Sequence, residues 1–304
     1  MITRFQNRID PAINGFTLIE LIIAISVSVI VVGFMVMFIT VPVDNYIAQS
    51  RRAQLSTEAD IIQRIMDNDI RNAVPNTVRW GINGSNVILE MLNTVDVAIY
   101  RDFGSTSPQS AIDELTFAPV APDANFSTLG KFKSGAAVSC LATFRLVISP
   151  DQSSATTDVY AGGQVVTAPA NTLNCNPDPT FNKTNVTITP GFQFKTPSPG
   201  KHVFVISAAT SAIAYVCNLN TRTLTRFSGY PIALGLAANR NAAATNHVVS
   251  TNIEDCQFPN TPGTSLRPDL VSVYIKLKQI LPPPAPPTTD FYTLFFQSSL
   301  DYSP

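Results

Sequence analysis

The chain has 304 residues, 45% of them hydrophobic and only 13% charged, where a soluble domain carries about a quarter charged. Twenty basic against 21 acidic side chains give a net charge of −1, which argues against nucleic acid as a partner. The two histidines, His202 and His247, exclude a histidine-rich metal centre and leave little for general-base chemistry.

The first 15 residues, MITRFQNRIDPAING, carry Arg4 and Arg8 against Asp10. That bias holds them in the cytoplasm. From Leu21 to Val43 run 23 residues without a charge; as a helix they extend about 34 Å, enough for a hydrocarbon core of about 30 Å. A cleaved secretory signal needs a shorter apolar run and a small-x-small site behind it. Residues 34–46 offer none, and Ser26-Val27-Ser28 lies too early, so the span reads as retained.

Glu20 stands at the start of this span, in the string Gly15-Phe16-Thr17-Leu18-Ile19-Glu20. Moving an unpaired charge toward the bilayer centre costs about 2.5 to 3.5 kcal/mol, so a partner is expected. A plain interfacial acid that snorkels into water is the ordinary alternative. The string GFTLIEL followed by about 20 apolar residues resembles the type IV prepilin signature.

The resemblance implies cleavage between Gly15 and Phe16 by a prepilin peptidase that also methylates the new amino terminus. It also implies that Glu20, fifth in the mature chain, pairs with the amino terminus of a neighbouring subunit. The implied partners are that peptidase/N-methyltransferase, other major and minor pilins, an inner-membrane assembly machine and the membrane. The implied location is the bacterial inner membrane, single-pass with a periplasmic head, then the fibre. Two positions depart from the pattern: Asn14 precedes the glycine, and Met37 stands where a proline is often found. Pro42, five residues later, is the expected kink.

Beyond Pro42, apolar Leu55, Ala59, Ile62, Met66, Ile70 and Ala73 recur at spacings of three and four. This predicts an amphipathic helix that ends before Pro75 and buries its stripe on a sheet. Asp67-Asn68-Asp69 lacks the glycine and distal glutamate of a calcium loop and reads as a solvated helix face.

After residue 75 the composition turns to Thr, Ser, Asn, Pro and Val. Strands are predicted at 78–82, 87–91, 97–100, 143–148, 203–206, 214–217, 223–226, 270–277 and 291–297. No amphipathic helices separate them, so the sheet should be antiparallel and the class α+β. The expected division is 1–15 leader, 16–43 transmembrane half-helix, 44–75 amphipathic half-helix and 76–304 β-rich head. The PPPAPP run at 282–287 reads as a stiff hairpin loop rather than a docking motif.

Cys140, Cys175, Cys217 and Cys256 form no CxxC pair. In an oxidising periplasm they suggest two disulfides with three possible connectivities; Cys140 with Cys175 and Cys217 with Cys256 is the simplest order. Zinc is disfavoured by the wide spacings.

Later blocks extend the resemblance: DIRNAVPNTVR at 69–79, SPGKHVFV at 198–205, Tyr215-Val216-Cys217, TLTR at 223–226 with Gly229-Tyr230, and Cys256-Gln257-Phe258. These are similar to minor pilins of the mannose-sensitive haemagglutinin (MSHA) pilus. That implies a low-abundance subunit that initiates or caps the fibre. Alternatives are a tip pseudopilin of type II secretion and an adhesin head, whose Trp80 and tyrosines more often signal packing than ligand contact. An enzyme fares worst, since no nucleophile elbow, phosphate loop, cofactor motif or metal cluster is present. His202 and His247 read as surface or satisfied residues, and the triplets at Asn83, Asn125, Asn182 and Asn185 as chance glycosylation matches.

Overall fold

The computed structural model describes residues 15–102, 114–132, 140, 143–178, 180, 182–236, 245–261, 269–279 and 290–300. Helix α1 (Leu18–Arg71) is followed by β1 (Arg79–Asn83), β2 (Asn86–Leu92), β3 (Asp96–Tyr100), β4 (Asp123–Leu129) and β5 (Phe144–Val147). Next come β6 (Thr172–Asp178), β7 (Lys183–Phe192), β8 (His202–Ser207), β9 (Ala212–Asn218) and β10 (Thr223–Tyr230). The last are β11 (Thr245–Ser250), β12 (Ile253–Gln257), β13 (Asn260–Thr261), β14 (Leu270–Lys278) and β15 (Phe291–Ser299). The class is α+β: one long amino-terminal helix, then antiparallel sheets. Two compact units divide the chain, Met1–Ala53 and Gln54–Pro304.

In the first unit the helix carries apolar side chains all round, and Leu18, Ile19, Leu21, Ile22, Phe34 and Phe38 are exposed. A helix apolar on every face is built for hydrocarbon, not for one side of a globular core. It is long and apolar enough to cross a membrane. Two of its hydroxyls are satisfied within the helix, Ser26 Oγ donating to the Ile22 carbonyl at 2.8 Å and Ser28 Oγ to the Ala24 carbonyl at 2.7 Å. That pairing removes the cost of bare donors in an apolar solvent.

The second unit contains three sheets, all of whose registered strand pairs are antiparallel. Their orders are β1-β2-β9-β10-β11, then β12-β14-β13 with β15 also on β14, then β5-β8-β3-β4-β7-β6. The stripe Leu55, Ala59, Ile62, Met66, Ile70 is buried against Val87, Leu89 and Met91 of β2, Ile213 and Tyr215 of β9, and Val273 and Ile275 of β14. Each of the leucines, isoleucines, valines and methionines among them contributes about 1.5 to 3 kcal/mol by leaving water.

Strand alternation then builds a second layer. Ile88, Ala214 and Val216 point the opposite way and pack with Phe204 and Ile206 of β8. On the far face of β8, Val203 and Val205 join Tyr100, Phe126, Val186 and Ile188 in a third core.

All nine predicted strands form, and β4, β6, β7, β11, β12 and β13 are additional. The helix ends at Arg71, ahead of Pro75 as its geometry requires. The proline run at 282–287 lies outside the described residues; β14 and β15, on either side, pair antiparallel from Leu270↔Ser299 to Lys278↔Phe291.

Candidate functional site

The amino-terminal motif is built around a helix start. Thr17 lies one residue before α1, and the Glu20 N–H reaches both its Oγ1 at 3.4 Å and its carbonyl at 3.1 Å. The Thr17 hydroxyl also lies 3.4 Å from Glu20 Oε2. Threonine at the cap with glutamate three residues on is the capping-box pattern, which supplies partners for orphan N–H groups. Thr-x-x-Glu was legible in the sequence, but its role as a cap was hidden by the apolar run behind it. The carboxylate also sits in the first turn, at the positive end of the helix dipole.

Gly15 and Phe16 precede the cap outside the helix, and Phe16 is 82% exposed. The peptide bond between them thus lies two residues before the first helical turn, in non-helical backbone. Residues 1–14, with Arg4, Arg8 and Asn14, lie outside the described residues. Further along, the helix runs through Pro42, which has no N–H to give to the carbonyl four residues earlier.

In the second unit the register explains a buried polar cluster. Across β10, β9, β2 and β1 the pairs Arg226↔Tyr215, Tyr215↔Leu89 and Leu89↔Trp80 line up in one row on the face that packs against α1. From α1, Asp69 meets this row: Arg226 donates through Nε at 2.6 Å and Nη2 at 3.1 Å, and the Tyr215 hydroxyl donates at 2.5 Å. Burial, then the Asp69 charge, pushes the Tyr215 phenol well above its ordinary range. The Asp69 bond, opposed by burial, raises the Arg226 guanidinium. Asp69 is therefore buried, not on a solvated face as the sequence suggested; its partners lie on strands far along the chain.

On the opposite face of the same sheet Glu90 is fully buried. It accepts from Arg79 Nε at 2.6 Å and from the Tyr230 hydroxyl at 2.7 Å, while the guanidinium lies 3.5 Å from the Tyr160 ring centre. These ionic clusters tie elements of the second unit together.

The four cysteines are joined as Cys140–Cys175 and Cys217–Cys256, with Cα atoms 5.6 and 6.5 Å apart. His202 is buried on β8 and its Nδ1 has no hydrogen-bond partner, so it is neither a surface residue nor a satisfied one. Burial holds its pKa below the ordinary value. His247 lies on the exposed strand β11, not in a loop. Among the described residues no three His, Cys, Asp or Glu side chains come together as a metal site.

Comparison with known proteins bears on the first of these regions. Residues 11–36 match the family described as the prokaryotic N-terminal methylation motif. No curated protein and no solved structure matches the chain. The motif supports the class of type IV pilins and pseudopilins, and implies processing by prepilin peptidase and assembly with other pilins. With the apolar helix it fits a membrane-anchored, single-pass protein, and it suggests a structural protein rather than an enzyme.

Proposed function

We propose that the chain is a minor pilin of an MSHA-type type IV pilus that acts in fibre initiation, assembly or tip formation. The observation that carries this reading is the methylation motif at 11–36, with Glu20 in the capped first turn of a helix whose amino-terminal half is apolar and exposed. Prepilin peptidase cuts between Gly15 and Phe16 and methylates the Phe16 amine. The apolar half of the helix then leaves the membrane for a bundle of like helices, where the Glu20 carboxylate is tolerated only beside a cation such as a neighbouring amino terminus. Pro42 is a point of bending. The β-rich region faces the periplasm, which suits two disulfides.

Within the class, the blocks around 69–79, 198–205 and 223–230 resemble the MshO subunit of that pilus. A tip pseudopilin of type II secretion is the nearest alternative, because the same amino-terminal chemistry serves it. Glu20→Val in the native cell tests the reading: processing and membrane insertion should persist while fibres fall at least about tenfold by electron microscopy, the size of effect expected from losing one buried ion pair. Fibres unchanged in number, with the variant built into them, would refute the role of Glu20. Co-isolation of the wild-type chain with secretion components instead of pilins would favour the pseudopilin.

A further inference from the structure

A groove of about 860 Å³ opens in the second unit, inside the range of about 300–1,000 Å³ typical of small-ligand clefts. Residues from several parts of the chain line it: 75–80, 149–153, 196–199, Phe204, Asn260 and Asp269. Trp80, the chain's one tryptophan, lies at the β1 edge of this groove with 40% of its surface exposed. Its in-register neighbour Leu89 is fully buried, so the row of side chains that forms core beneath the helix ends in an accessible flat ring.

The groove walls are held in a costly backbone form. Asn76, Ser149 and Gln152 take φ values of 59°, 48° and 55°, a left-handed region that costs non-glycine residues about 1 to 2 kcal/mol each. Side chains enforce it: Asn76 Nδ2 donates to the Pro150 carbonyl at 2.9 Å and Gln152 Nε2 to the Asn76 carbonyl at 2.6 Å. Asn260 Nδ2 donates to the Val78 carbonyl at 3.0 Å and fixes the far wall. Four prolines, Pro75, Pro150, Pro197 and Pro199, stiffen the rim further. The shape is thus set before any ligand arrives, which limits the ordering cost of binding.

The chemistry of the lining selects among ligands. Asp151, Ser153 and Thr196 are exposed and line the same groove as Trp80, to which they supply a carboxylate and two hydroxyls, with Ser153 Oγ donating to Asp151 Oδ1 at 2.7 Å. Among the described lining residues Arg79 is the one cation, and its guanidinium is committed to Glu90, to the carbonyls of Ala233 and Leu234, and to the Tyr160 ring. With that cation engaged and the Asp151 carboxylate exposed, the described lining disfavours an anion. A flat apolar ring in one groove with acceptors and hydroxyls suits a ligand with an apolar face and a rim of hydroxyls. The geometry points to a binding site for a neutral oligosaccharide, with Trp80 stacking against one sugar ring and Asp151, Ser153 and Thr196 holding its hydroxyls. This goes beyond the assembly role and does not depend on it.

Because Trp80 is the chain's one tryptophan, its emission reports this groove directly. The full chain in detergent micelles is titrated with neutral tri- and tetrasaccharides of glucose, galactose and N-acetylglucosamine, alongside sialylated ones. At least one neutral oligosaccharide should give a saturable emission change, and the same sugar immobilised on an array should lose about tenfold or more of its binding on Trp80→Ala, as expected for truncation of an aromatic anchor. Trp80→Tyr, which keeps a stacking ring and is the milder change, should bind within a few-fold of wild type; Asp151→Asn should weaken binding with the fold intact. Silence across the neutral panel, preference for the sialylated sugars, or binding unchanged by Trp80→Ala would each overturn the proposal. So would a Trp80→Ala chain that no longer joins pilin fibres, since the groove would then be a subunit contact. Failure of Gly15–Phe16 processing would sink the pilin reading and leave the groove untouched.

Discussion

Arg226 on β10 grips Asp69 near the end of α1 with two hydrogen bonds, at 2.6 and 3.1 Å, across 157 positions of sequence. Planar guanidinium against carboxylate is the geometry that makes an ion pair directional rather than merely attractive. With Tyr215 donating to the same carboxylate, it fixes the last helical turns on the sheet at one register. Arg226→Ala leaves a buried carboxylate with one hydroxyl partner and should cost about 3 to 5 kcal/mol of stability. Denaturant unfolding of the full chain in micelles measures it. Asp69→Leu combined with Arg226→Met should cost less than the Arg226 change alone, because no charge is then stranded.

Alkaline pH should loosen the same region. Burial raises the phenols of Tyr215 and Tyr100 above the ordinary value of about 10. A raised folded pKa means stability that is whole below about pH 10 and is lost as pH climbs from there toward the folded value, since the unfolded chain releases its proton first. Ultraviolet titration should show these two tyrosines ionising late or only on unfolding. Tyr215→Phe should flatten the decline; ionisation of every tyrosine near pH 10 in the folded chain would contradict the burial.

Mild acid acts through a different group. His202 is buried with its pKa depressed by loss of solvent. Its contribution is complete above the unfolded value of about 6.5 and declines as pH falls through the folded value, because the unfolded chain takes up a proton that the folded chain resists. Its ring lies 6.2 Å from that of Phe204. His202→Phe should therefore reduce the slope of stability against pH in this window, read by melting temperature in a series of buffers.

Cys217 on β9 and Cys256 on β12 connect the two sheets that share the helix-covered core. They close a separation of 39 residues, and Cys140–Cys175 closes 35. Replacing Cys217 and Cys256 together by serine should cost about 2 to 5 kcal/mol on the chain-entropy account. Mass mapping of unreduced peptides checks the connectivity, and denaturant midpoints check the energy.

The fold was legible wherever local pattern and burial agree. The stripe from Leu55 to Ile70 repeats at three and four and is buried, and β2, β9 and β14 carry apolar runs or strict alternation. Strands hid where that agreement fails. In β12 a register shift between Ile253 and Asp255 lets Ile253 and Cys256, three apart, both face the core, which breaks the period of two. In β11 the first four residues are exposed, so no face is marked. β6 and β7 each bury only a few apolar side chains amid Asn and Thr. The amino-terminal site was plain because its residues are contiguous. The Asp69 cluster and the Trp80 groove were not, because each gathers residues that only tertiary pairing brings together.

Amino-terminal mass spectrometry tests most directly whether the chain is processed as a pilin. Protein from its native cell, or made beside a prepilin peptidase, should begin at N-methylated Phe16. A chain that keeps residues 1–15 in the presence of active peptidase, or one cut beyond the apolar span, would contradict it.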